Sequence, residues 1–80
     1  MLSTDNVKQM IEKHIPDAEV QARDLTGTSD HFAVRVVSST FEGKSLIEQH
    51  KMIYAAVGEH MTREIHALQI KTSIPKGDNE

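Results

Sequence analysis

Apolar residues recur in this chain at two different periods, and the order in which those periods alternate leaves few architectures open. Val7, Met10, Ile11 and His14 repeat at helical spacing behind Ser3 and Thr4, with Asp5 in the first turn, so the spacing predicts a helix over residues 4–14. Pro16 ends it, because the residue before a proline is pushed out of the helical region, and Asp17 continues the turn. Over residues 19–25 the period drops to two, with Val20 and Ala22 alternating against Gln21 and Arg23, the pattern of a half-buried strand. Thr26, Gly27, Thr28, Ser29 and Asp30 are turn formers and read as a hairpin loop. A second strand follows over residues 32–38, with Phe32, Val34 and Val36 on the face expected to meet the helices.

Ser39, Thr40 and Gly43 break the pattern and leave room for a short helical turn around Thr40. Helical spacing then returns over residues 45–61, capped by Ser45. Leu46, Ile53, Tyr54, Val57 and Met61 form one stripe, Ile47 and Ala56 lie beside it, and Gly58 weakens the last turn. A last strand is predicted over residues 65–72, alternating His66, Leu68 and Ile70 with Ala67, Gln69 and Lys71. The order α-β-β-α-β describes an α+β domain whose sheet carries helices on one face. We expect a single domain over residues 1–80, with an ordered core of about 4–74 and a frayed tail over 75–80.

A chain of 80 residues buries a smaller share of its surface than a larger domain, and this one has no Trp, one Tyr and two Phe with which to fill its core. Cysteine is absent, which excludes a disulfide scaffold and fits a reducing compartment. Charged residues interrupt every apolar run, so no membrane span or signal-peptide core can be drawn; the expected setting is the cytoplasm, or an organelle matrix equivalent to it. A formal charge of −3 argues against a general polyanion binder.

The usual marks of catalysis are missing. There is no Cys nucleophile, nucleophile elbow, phosphate-binding glycine loop or HExxH helix, so the chain is expected to be a binding and adaptor module, not an enzyme. Five histidines, at positions 14, 31, 50, 60 and 66, are the first chemical hint. His50 and His60 are read in one helix, about 15 Å apart along its axis, too far to share a metal. His14 suits the C-terminal end of the first helix, where a cation favours the dipole. His31 and His66 each begin a predicted strand, at the rim where a loop delivers a side chain to a surface; on spacing alone each is a structural histidine before it is a ligand. Lys44, Lys51, Arg63 and Lys71 offer a patch of positive charge, but Glu42, Glu48 and Glu59 are interleaved with them, which describes a solvated mixed surface.

The runs Phe41-Glu42-Gly43-Lys44-Ser45-Leu46, His50-Lys51-Met52-Ile53-Tyr54-Ala55 and Ile65-His66-Ala67-Leu68-Gln69-Ile70-Lys71-Thr72, with Val36-Val37-Ser38 ahead of them, closely resemble the BolA family. The match spans Pro16 to Pro75. The resemblance implies a class II KH-like fold with a three-stranded mixed sheet; like the family, the chain lacks the GxxG loop of true KH domains. It further implies partnership with a monothiol glutaredoxin of the CGFS type, in a heterodimer holding a [2Fe-2S] cluster together with glutathione, within iron-sulfur cluster trafficking or iron and redox regulation. His66 matches the family's ligand histidine near the C-terminus. The second ligand comes, in the family, from the loop between the first two strands, and here His31 is the only candidate near that loop. Since the chain has no thiolate to give, the thiolates must come from elsewhere, and no cluster is expected on the chain alone. Gly43 and Lys44 would shape the turn before the long helix and, with Lys51 and Lys71, belong to a partner or nucleic-acid surface. The alternative is a transcription regulator that binds DNA through a helix-turn-helix-like surface from Thr40 into the long helix. Family members self-associate, so a homodimer is open, although no exposed apolar stripe is read here that demands one.

Overall fold

The computed structural model describes residues 3–27, 31–58, 60, 65 and 67–75. Helix α1 (Thr4–His14) begins where the spacing places it. The Ser3 hydroxyl accepts from the Asn6 amide and the Asn6 side chain accepts from the Ser3 amide, both at 3.0 Å, so two amides with no partner inside the helix are satisfied reciprocally. Val7 and Ile11 form its buried stripe and Ile15, just past its end, continues it.

Strand β1 (Glu19–Asp24) pairs antiparallel with β2 (His31–Val37), and β2 pairs parallel with β3 (Ala67–Ser73), giving a mixed sheet of order β1-β2-β3. A parallel neighbour requires a crossover, and the described part of the intervening segment contributes a 3-10 turn (Ser39–Phe41) and helix α2 (Leu46–Val57) to it. Phe32, Val34 and Val36 are buried as predicted, together with Val20 of β1, against Ile11 of α1 and Ile53 and Val57 of α2. Both helices thus cover one face of the sheet. The fold is α+β, as the periodicity predicts.

Several boundaries differ from expectation. Strand β1 stops at Asp24 because the Asp24 carboxylate accepts from the amides of Thr26 and Gly27, at 3.2 and 2.9 Å, and turns the chain; Gly27 takes a positive φ of 77° there. Strand β2 begins at His31 and ends at Val37, since the Ser38 hydroxyl turns round to cap the Thr40 amide at 3.0 Å. Strand β3 runs over Ala67–Ser73, two residues later at its start than predicted, with Ile65 buried ahead of it.

The largest correction concerns α2. Its last residue is Val57, because Gly58 adopts φ 56°, outside the helical region, while its amide still donates to the Tyr54 carbonyl at 2.9 Å. His60 therefore lies outside the helix that holds His50, and the spacing argument between them falls. The predicted apolar stripe is also only partly buried. Ile53 and Val57 are in the core, but Leu46, Ile47 and Tyr54 are 61, 70 and 43 % exposed. Leu46 stands in the first turn, and Ile47 and Tyr54 lie about 120° and 100° round the helix from Ile53 at about 100° per residue. An exposed apolar strip therefore does exist, against expectation. Met61, Arg63, Glu59 and His66, and the predicted loop and tail over 28–30 and 76–80, lie outside the described residues.

Candidate functional site

His31 opens β2 and is half-buried. Its backbone carbonyl accepts from the Leu25 amide at 2.7 Å, which ties the end of the hairpin to the strand. Strand alternation places it with Ala33 and Arg35 on the face opposite Phe32, Val34 and Val36. In the parallel ladder its partner is Ala67, the residue that follows His66 in the chain. The pairing thus brings the hairpin end to the start of the last strand, the two places from which the sequence argument draws its candidate ligands.

The remaining described histidines are dispersed. His14 is exposed in the last turn of α1, His50 is half-buried in α2, and the His60 carbonyl accepts from the Ile65 amide at 2.8 Å. Among the described residues no three His, Asp or Glu side chains converge.

The segment between β2 and α2 is held by an anchor that the sequence reading does not assign. The Asp17 carboxylate accepts from the Ser38 hydroxyl at 2.6 Å, from the Ser39 amide at 3.1 Å, from the Ser39 hydroxyl and from the Thr40 hydroxyl at 3.0 Å. Hydrogen bonds from Ser38 first, then Ser39 and Thr40, hold its carboxyl well below the usual carboxylate range, since each favours the ionised form. Asp17 reads in sequence only as a turn residue. The signal that could have found its role is the Ser38-Ser39-Thr40 run, whose donors need an acceptor.

Gly43, at φ 78°, turns the chain toward α2, and the Lys44 amide donates to the Phe41 carbonyl at 3.0 Å. The Gln49 amide side chain donates to the Lys44 carbonyl at 2.9 Å, and the Thr72 hydroxyl of β3 donates to Gln49 Oε1, so a short relay joins the last strand to the turn. At the helix start, Ser45 and Glu48 form a capping box; the Ser45 amide, then its hydroxyl, lowers the Glu48 pKa, with Lys44 and Lys51 adding to the effect. Lys44 and Lys51 are exposed near this turn and on α2. Lys71 is not with them. It lies on the open face of the sheet beside Arg35, on the side away from α2.

The family model described as BolA-like protein matches residues 4–77. Protein BOLA2 of Arabidopsis thaliana is 39 % identical over 72 residues, covering 89 % of this chain and 76 % of that protein. The structure of a bolA protein homologue from Coxiella burnetii superposes with a TM-score of 0.79 at 38 % identity, covering 94 % of each chain. The solution structure of yeast Fra2 gives 0.73 at 32 % identity, covering 89 % of this chain and 77 % of that one.

Proposed function

The chain belongs to the BolA family, and from that premise we propose that it is an adaptor that joins a monothiol CGFS glutaredoxin and co-ligates a glutathione-dependent [2Fe-2S] cluster through His66 and His31. The observation that carries the reading is the parallel register His31↔Ala67, which sets the hairpin histidine against the residue next to His66 in sequence. The donor chemistry suits the group. Imidazole ligates iron as a neutral base, and on one iron of such a cluster it takes the place of thiolate and raises the reduction potential. With no cysteine, this chain contributes imidazole only and leaves the thiolates to glutaredoxin and glutathione.

The chain's own part is to present imidazole from a rigid platform, His31 being paired with Ala67 in the parallel ladder on one side and its carbonyl held by the Leu25 amide on the other. An adaptor of this kind turns over no substrate, so no catalytic residue is assigned. The alternative DNA-binding surface gains no support from the placement of its lysines, because Lys71 faces away from Lys51 and Glu48 stands between Lys44 and Lys51. The reading is tested by mixing the full chain with a cluster-loaded CGFS glutaredoxin and measuring mass by native mass spectrometry under anaerobic conditions. A 1:1 complex that retains two irons and two sulfides supports it; glutaredoxin that remains a separate cluster-bound homodimer contradicts it.

A further inference from the structure

The face of the sheet turned away from the helices carries a concentration of positive charge that the cluster reading does not use. Arg23 of β1, Arg35 of β2 and Lys71 of β3 all point outward and are exposed. Arg35 and Lys71 are ladder partners, while Arg23 pairs with Ala33 and so stands diagonally from Arg35. The three cations surround a shallow concavity of about 570 Å³, floored by Ala33 and flanked by Gln21 and Gln69. Among the described residues no carboxylate lines it. Glu19, on the same face, lies two ladder steps beyond, opposite Val37. Among the described residues none forms an ion pair with Arg23, Arg35 or Lys71. In a chain of net charge −3, three cations against the one carboxylate of Glu19 among the described residues of this face is an uneven distribution.

We propose that this open face binds an extended acidic segment of a partner protein, with carboxylates at alternate positions of that segment seated on Arg23, Arg35 and Lys71. Neighbouring strands stand about 4.8 Å apart and diagonal positions about 7–8 Å apart, and alternate side chains of an extended peptide recur at about 6.6 Å. The two cation spacings lie on either side of that repeat, within the reach of long, flexible side chains. Two of them are guanidinium groups, whose planar fork binds a carboxylate through two parallel hydrogen bonds. The Gln21 and Gln69 amides supply donors and acceptors for the backbone of the bound segment, and Ala33 leaves room for it to lie close. Single-stranded nucleic acid fits less well, since sequence-tolerant binding of bases needs aromatic platforms. No Phe, Tyr or Trp stands on this face, since Phe32 and Phe41 are buried and Tyr54 is on α2; among the described residues His31, at its edge, is the one aromatic ring there.

The proposal does not rest on His31 or His66 as ligands, and its test does not involve a cluster. The 15N-labelled full chain is titrated at low and at physiological salt with a glutamate-rich decapeptide, and separately with a single-stranded decadeoxynucleotide. The expected result is saturable, salt-sensitive peptide binding that shifts the amides of Arg23, Ala33, Arg35 and Lys71. Affinity falls roughly tenfold in the double variant Arg23→Gln/Arg35→Gln and is unchanged in Lys51→Gln. Absent binding, shifts centred on α2, or indifference to the double variant would overturn the proposal, as would tighter binding of the oligonucleotide at the same amides.

Discussion

The Asp17 carboxylate, in the turn after α1, accepts a 2.6 Å hydrogen bond from the hydroxyl of Ser38, which is itself fully buried where β2 ends. Through this contact and those to Ser39 and Thr40, one side chain ties the first connection of the chain to the 3-10 turn that leads into α2.

Because these bonds favour the ionised carboxylate, the folded-state pKa of Asp17 lies below its unfolded value. The folded state then binds fewer protons, and the stabilisation is complete above the unfolded pKa of about 3.9 and is lost as pH falls through the folded one. Denaturant unfolding between pH 6 and 2 should show the wild type losing stability on acidification with a steeper dependence than Asp17→Asn. At neutral pH, Asp17→Asn should already be the less stable protein. Equal pH dependence of the two would contradict the assignment.

Ile47 and Ile53 were indistinguishable by residue type, yet the first is 70 % exposed and the second fully buried. Ile53→Ala should cost about 2–5 kcal/mol, from lost burial and the cavity left in a close-packed core. Ile47→Ala should stay within about 0.5 kcal/mol of wild type. Urea denaturation of both variants measures the contrast.

Gly43 has φ 78° and open space where a Cβ would stand, so Gly43→Ala is disfavoured by backbone conformation and not by a clash. The expected loss is about 1–2 kcal/mol, smaller for Gly43→Asn, which tolerates the left-handed region. Thermal unfolding orders the three proteins. It also separates a fold defect from any loss of partner binding at this turn.

Much of this fold is legible before any coordinates, and where legibility fails there is a physical reason. The Ser3 cap, the stop near Pro16 and the inward set Phe32, Val34 and Val36 follow from local chemistry and a clear period. Gly58 shows the limit. A glycine late in a helical pattern is compatible with a weakened turn or a terminus, and only its positive φ decides between them. Leu46, Ile47 and Tyr54 show another, because periodicity gives a stripe but not how far the packed layer reaches along or around it. The Asp17 acceptor and the Thr72–Gln49 bond join residues 21 to 23 positions apart, beyond any local rule. The register His31↔Ala67 is likewise a property of strand pairing, which a two-residue alternation within each strand does not contain.

The most direct test of the adaptor reading is visible circular dichroism of the full chain mixed anaerobically with a CGFS glutaredoxin, iron, sulfide and glutathione, for wild type, His66→Ala and His31→Ala. The account predicts a heterodimer spectrum distinct from that of the glutaredoxin alone, altered or lost in His66→Ala and altered in His31→Ala. A spectrum identical to that of the glutaredoxin alone, or one indifferent to both histidines, would contradict it.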